Sequence, residues 1–415
     1  MRKEKRMQTR RVCEKEDRTR KGNRERRKQR KTENRKVTAD GIHDTILCIR
    51  KKPAVRIMTR KVLCWIAAAV LLVFMIPVVG ADDWSNSILD FYHGALKHSR
   101  LLENTFSISG RKDVIEELQK ESSVYDGRIK LADVLTQAGM TGSFTYTVYD
   151  DKIKLSDIEY YAGWTILNRW ERGEEDRLSK REKETLNEAL RICDGAEGTD
   201  LEKERYIYDA LCERITYETG EESGEEKDCA IGALLNGRAD CDGYADAMML
   251  CCGLSGIPCR YIHGEARQRA ADDDISHLWN AVWAGDCWLM CDVTWGDHGG
   301  EPEYLFFNIG TEDASASYRW DPDTLFTPVA ENAIFEKHLM ADQQPRTVTK
   351  AEDAAAATAD AAAAGERRFA LFCPKEILWE TDADRFWEML GQGGIESCSY
   401  IACGRLIEFS GVVYR

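Results

Sequence analysis

Three short segments of this 415-residue chain carry residue types that could together do covalent chemistry. The first is Asn236-Gly-Arg-Ala-Asp-Cys241-Asp-Gly-Tyr244-Ala245. The second is His277-Leu-Trp279-Asn280, and the third is Leu289-Met-Cys-Asp292-Val-Thr-Trp295. A thiolate is a strong nucleophile, an imidazole can take the thiol proton, and a carboxylate can fix the imidazole tautomer and steady the imidazolium. Each residue alone has a plainer reading: a buried structural cysteine, a core histidine, a turn acid. Taken jointly, Cys241, His277 and Asp292 are the set for Cys-His-Asp acyl transfer.

Specific elements must position these groups. Cys241 leads into an apolar helical stretch, residues 245–252, that stops at Gly253. The thiol then sits at a helix amino terminus, where unpaired N–H groups and the helix dipole favour the thiolate. Asp240 and Asp242 push the other way, and Gly243 would let a neighbouring backbone approach closely. Between the other two segments lies Ala284-Gly285-Asp286-Cys287, a two-residue hairpin signal. With Gly285 and Asp286 as the turn, Ala284 faces Cys287 and Trp279 faces Asp292. His277 shares the Trp279 face and becomes a diagonal neighbour of Asp292, within reach of an imidazole and a carboxylate. Asn280 falls on the opposite face and reads as structural. Trp279, Trp288 and Trp295 cluster on the hairpin, either as core packing or as lining of a substrate cleft.

Gly237-x-x-x-Cys241-x-Gly243-Tyr244-Ala245, His277-x-Trp279-Asn280 and Asp292-Val-Thr-Trp295 resemble the three motifs of the bacterial transglutaminase-like superfamily. The preceding Ala233-Leu-Leu-Asn-Gly stretch, Ile215-Thr-Tyr217 and Tyr304-Leu-Phe-Phe-Asn308 are similar to the same core. The resemblance spans residues 195–325. It implies an α+β, papain-like fold, in which a helix bearing the nucleophile packs on an antiparallel sheet. It also implies Cys241 as nucleophile, His277 as general base and acid, and Asp292 as orienting acid. Tyr244, Trp279 and Trp295 are the substrate-cleft candidates. Many relatives place an aromatic residue just before the Ala-Leu-Leu-Asn-Gly stretch, where this chain has Ile231, so the second oxyanion donor stays open. The superfamily holds crosslinking enzymes, proteases, amidases and inactive members. The paired C-x-x-C zinc motifs of its peptide N-glycanase branch are missing, and no metal or other cofactor is expected.

Around this core the chain reads as flanking mixed α/β regions. Residues 83–194 form a mixed, mostly helical region: helical spacing over 83–103, 113–120, 155–172 and 179–193, with a strand at Phe144-Thr-Tyr-Thr-Val-Tyr. Ser179-Lys-Arg-Glu182 is a capping box. A helix over 201–215 opens the catalytic domain, 195–325. Residues 313–330 read as irregular. Residues 326–368 are a linker with an alanine-rich helix over 351–364, and residues 369–415 a small α+β unit with the order strand, helix, strand, strand.

Hydrophobic residues make up 43% of the chain and charged residues 31%, so it can bury a real core. The net charge of −14 conceals a split: residues 1–61 carry 24 Lys/Arg against 8 Asp/Glu, and the remainder is strongly acidic. An acidic remainder repels a polyphosphate backbone, so no nucleic-acid partner is expected. Residues 62–80 carry no charge and follow Arg60 and Lys61. They read as a signal peptide starting near Met58 and cleaved after Val79-Gly80-Ala81, or as an uncleaved transmembrane anchor with a basic cytoplasmic tail. On the first reading, the basic segment 1–61 lies largely upstream of the true start. Both readings place residues 82–415 outside the cytoplasm, secreted or membrane-anchored. Twelve of the 15 cysteines lie beyond Ala81, several of them expected as small buried apolar residues.

The expected function is an extracytoplasmic thiol enzyme that attacks peptide or glutamine carboxamide carbonyls through a Cys241 thioester. Its substrate would be a protein or peptide at the cell surface. Hydrolysis is favoured over amine transfer, because water is abundant there and excluding it requires a tight tunnel. The alternative is a catalytically silent binding or scaffolding module on the same fold.

Overall fold

The computed structural model describes residues 84–415 apart from 125–126, 219–225, 268–273, 284, 286, 298, 300–301, 328, 331–344 and 375–376. Of the first 83 residues it describes Thr9–Arg11 and Lys36–Val37. In chain order, the amino-terminal region holds helix α1 (Ile88–Arg100), strand β1 (Phe106–Gly110), helix α2 (Lys130–Gln137), strands β2 (Thr145–Val148) and β3 (Lys152–Ser156), and helices α3 (Ala162–Glu171) and α4 (Lys180–Gly195). The core holds α5 (Asp200–Arg214), α6 (Cys241–Leu254), β4 (Cys259–Ala266), β5 (Ile275–Trp283), β6 (Trp288–Cys291), β7 (Phe307–Ile309) and β8 (Tyr318–Arg319). The carboxy-terminal unit holds α7 (Ala351–Ala363), β9 (Phe369–Phe372), α8 (Ala383–Gln392), β10 (Ile395–Cys403) and β11 (Leu406–Tyr414).

Helix starts follow from side chains that satisfy the otherwise orphaned first-turn amides. Glu182 N–H donates to Ser179 Oγ at 3.2 Å while Ser179 N–H donates to the Glu182 carboxylate at 2.7 Å. Thr199 and Glu202 repeat the device ahead of α5, at 3.3 and 2.7 Å. Each such cap contributes about 1 kcal/mol.

One segment read as helical is a strand. Within 155–172, the helix begins only at Ala162, and Leu155 belongs to β3. Ile153 and Leu155 alternate inward, fully buried, and β3 pairs antiparallel with β1 and β2. A period of two outweighs the helical spacing here, and Asp157 with φ of 53° breaks the backbone before α3. The amino-terminal region is therefore less helical than expected. The irregular stretch 313–330 likewise contains β8, which pairs antiparallel with β4.

The central sheet runs β7-β6-β5-β4-β8, all antiparallel. The hairpin register pairs Asn280 with Cys291 and Trp283 with Trp288, the pairing that a turn at Gly285 and Asp286 requires. Gly285 adopts a φ of 93°, open to glycine without strain. Helix α6 is apolar all round, with Ala245, Ala247, Met248, Met249, Leu250, Cys251 and Cys252 buried. A helix of that pattern belongs in a core. It lies among α3, α4, α5 and the central sheet, in one apolar core that continues into the amino-terminal region. A second core, from Val348 to Val412, fills the carboxy-terminal unit. Nine of the twelve cysteines beyond Ala81 are buried.

Among the described residues no helix is long and apolar enough to cross a membrane, and on that ground the expected transmembrane helix is withdrawn. The longest described helix, α4, has 16 residues and opens with Lys180, Arg181, Glu182 and Lys183, too short and too charged for a hydrocarbon core. Residues 62–80, on which that expectation fell, lie outside the described residues.

Candidate active site

Cys241 is the first residue of α6 and is 7% exposed. A π-helical turn, Gly232–Asn236, ends at Gly237 in the left-handed conformation (φ 63°) and turns the chain toward it. Asp240 caps the helix: its Oδ1 accepts the Asp242 N–H at 3.2 Å, and its Oδ2 meets Lys227 Nζ at 2.7 Å. Lys227 thus answers the charge that would otherwise oppose a thiolate. A Cβ on Gly243 would lie 2.4 Å from the Lys227 carbonyl and 2.8 Å from Ala239 Cβ. Only glycine lets that strand of backbone lie against the helix start.

His277 enters from β5 and Asp292 from the end of β6. Asp292 caps a single helical turn, Val293–Gly296, its Oδ1 accepting the Trp295 N–H at 3.3 Å. Its Oδ2 pairs with His277 Nε2 and also accepts the Tyr318 hydroxyl at 3.1 Å. Both His277 and Asp292 are 1% exposed. With Nε2 committed to Asp292, Nδ1 is the ring nitrogen left for Cys241, which favours the charged imidazole; the Cys241 thiol itself lies 3.6 Å from Asp242 Oδ1. The histidine ring is held by Trp279, Trp295 and Tyr318, with centroids 5.9, 5.2 and 6.3 Å away. Burial by itself would disfavour the imidazolium, but Asp292 and then Cys241 outweigh it and raise the His277 pKa to about 9. A buried imidazole held between a carboxylate and a thiol can accept the thiol proton and keep it.

The structure therefore brings Cys241, His277 and Asp292 together. It does not bring the three aromatic candidates to a cleft on equal terms. Tyr244 is fully buried, and its hydroxyl lies 2.6 Å from Asp297 Oδ2 and 2.9 Å from the Ile215 carbonyl. Trp279 is fully buried beside Tyr318, with ring centroids 4.9 Å apart. Both are packing residues: Trp279 sits on β5, which is covered on both faces, and Tyr244 on α6, which is buried all round. Trp295, at 6% exposure, keeps a small surface beside His277. Asn280, on the other face, donates from Nδ2 to the Ala245 carbonyl at 3.1 Å and the Arg260 carbonyl at 3.3 Å, tying α6 to the sheet.

Two residues of consequence escaped the sequence reading. Tyr318 lies in a stretch without periodicity, and nothing local marks its hydroxyl as a partner of Asp292. Asp246 is the one charge within the apolar run of α6, which was a usable signal. Its Oδ2 accepts the Gly163 and Ala230 amides, each at 2.8 Å, and its Oδ1 the Tyr261 hydroxyl at 2.7 Å. Complete burial pushes its pKa up to about 6 despite those donors. Asp240, Cys241 and Asp242 set their donor atoms within 4.8 Å of one another, close enough to share a cation, but Lys227 and the helix cap already account for Asp240.

An α+β, papain-like core that presents a cysteine at a helix start to a buried His-Asp pair defines a class of thiol centres. Residues 188–293 match the family model of the transglutaminase-like superfamily. The kyphoscoliosis peptidase of Homo sapiens is 31% identical over 108 residues, which cover 24% of this chain and 16% of that protein. Its Mus musculus counterpart is 29% identical over 124 residues, covering 28% and 18%. The chain thus spans less than a fifth of the length of these curated relatives. A solved structure titled "Crystal structure of a TGase" aligns over 53% of this chain and 60% of that chain, at 10% identity and a TM-score of 0.25.

Proposed function

We propose that the chain is a thiol enzyme that attacks peptide or glutamine carboxamide carbonyls through a Cys241 thioester. The reading is carried by the convergence of three side chains, from α6, β5 and the β6 terminus, around one buried imidazole. His277 takes the Cys241 proton. The thiolate adds to the carbonyl carbon, and the Cys241 backbone N–H at the start of α6 offers a donor to the developing oxyanion. His277 returns the proton to the leaving amine as the C–N bond breaks, leaving a thioester. A water molecule, its proton taken by His277, then releases the acid and restores the thiol. Asp292 and Tyr318 hold the imidazole throughout. Hydrolysis is favoured over amine transfer on the ground that water is the commoner acceptor. The relatives named as peptidases support that preference only over the matched segment. Residues 62–81, read as a cleaved leader, would put the enzyme outside the cytoplasm, and amino-terminal sequencing of the exported product tests this.

The function is tested by intact-protein mass spectrometry of the full chain, incubated with glutamine-containing peptides and a primary-amine probe. An acyl adduct on Cys241, lost in Cys241→Ala, is the expected result. Cleavage, deamidation or amine tagging of the peptide then names the reaction. A folded, reduced protein that forms no adduct and leaves the peptides unchanged would sink the enzyme reading in favour of a silent binding module.

A further inference from the structure

Among the described residues the carboxy-terminal unit supplies no side chain to the Cys241 centre, yet it grips the segment that does. Asp313, 1% exposed in the short helix Thr311–Ala314, receives three donors from Arg405. The Arg405 backbone N–H and Nε reach Oδ1 at 2.9 and 3.0 Å, and Nη2 reaches Oδ2 at 3.0 Å. Nη2 also lies 2.8 Å from Glu312. The Cys403 thiol donates to the Asp313 carbonyl at 3.5 Å. Gly404, with φ of 52°, presses so closely that a Cβ there would sit 2.6 Å from Asp313 Cα. The β10–β11 turn is thus fitted to this helix by a forked ion pair, a backbone bond and a glycine contact.

From Asp313 the chain is hydrogen-bonded turn by turn toward the site. Ala316 N–H donates to the Asp313 carbonyl at 3.2 Å, and Ser317 N–H to the Ala314 carbonyl at 3.0 Å. The next residue is Tyr318, whose hydroxyl donates to Asp292 and whose ring packs on His277 and Trp295. We propose that Arg405 is a positioning residue for the thiol centre, acting through Asp313 and the 313–318 turn to set the Tyr318 hydroxyl on Asp292. The inference rests on the reading of Cys241, His277 and Asp292 as an acyl-transfer set. It gives the carboxy-terminal unit a role in the chemistry beyond adding bulk.

The test uses the full chain and the rate of Cys241 alkylation by iodoacetamide at neutral pH, resolved by peptide mass, with thermal unfolding measured in parallel. Tyr318→Phe and Arg405→Ala should each slow alkylation about 10-fold, the scale of one lost charge-assisted hydrogen bond. Because both act on one path, the double variant should be no slower than Tyr318→Phe alone. Arg385→Ala removes an exposed ion pair of the same unit, with Glu352 and Glu388, and should leave the rate unchanged. An Arg405→Ala protein that melts lower but reacts at the wild-type rate would make the clamp purely structural and overturn the proposal. So would a double variant showing the product of the two losses. Should Arg405→Ala not fold, Arg405→Gln keeps the stem as far as Cδ, loses the guanidinium fork, and is read the same way. A wild-type Cys241 that reacts no faster than a model thiol overturns the underlying acyl-transfer reading instead, a result distinct from either.

Discussion

A fully buried histidine titrates low unless an anion faces it, because burial penalises the charged ring. His277 titrates high, at about 9, since Asp292 and Cys241 both favour its protonated form over that penalty. A raised histidine pKa adds stability that is fully present below the unfolded value of about 6.5 and is lost as pH rises through the folded value. Thermal midpoints should therefore fall between about pH 6.5 and pH 9 by more in the wild type than in His277→Gln. Cys241→Ala removes one of the two favouring groups. The His277 titration, followed by imidazole NMR resonances, should move below about 9 in that variant. An unmoved titration would mean that the thiol does not address the ring. Catalysis should decline on the alkaline side over the same range, as the imidazolium that protonates the leaving amine disappears.

Helix α6 depends on two features that have no part in bond-making. Gly243 admits the Lys227 carbonyl to a distance that any side chain would forbid. Gly243→Ala must push that backbone away and should cost about 1–3 kcal/mol, with selective Cys241 alkylation lost. Asp246 joins three elements by accepting from Gly163, Ala230 and Tyr261. Asp246→Leu leaves the buried Gly163 and Ala230 amides and the Tyr261 hydroxyl without their acceptor. Chemical denaturation should show a loss of about 3 kcal/mol at pH 7. A loss below about 0.5 kcal/mol would mean that the pocket repacks at little cost.

At the scale of the whole molecule, the segment around Cys241 does not close upon itself. Its central helix takes Gly163 of α3 onto Asp246, and the Cys193 thiol of α4 donates to the Cys251 carbonyl at 3.3 Å. On the sheet side, His263 of β4 meets Asp133 of α2 at 3.1 Å. Residues 195–330 produced alone would expose the apolar surface of α6 that α3 and α4 cover. Such a fragment should show no cooperative thermal transition, whereas the full chain should. A sharp transition in the fragment would show that the amino-terminal region is an accessory.

The chemistry-bearing set was legible because it depends on local patterns. A cysteine ahead of an apolar helix and a two-residue turn between alternating strands determine, by period and register alone, that the thiol sits at a helix start and that His277 lies near Asp292. Asn280 fell on its structural face by the same parity. The helix over 155–161 failed because helical spacing and strand alternation coincide over so few residues, and only pairing with β1 and β2 decides between them. Tyr244 and Trp279 looked suited to a cleft, and only the sheet and helices packed around them show that they are enclosed. Tyr318, Asp313 and Arg405 reach the site from 21 to 113 residues beyond Asp292 in the chain. Contacts at that separation leave no periodicity to read. Local patterns chose the reactive groups, and long-range packing decided which neighbours hold them.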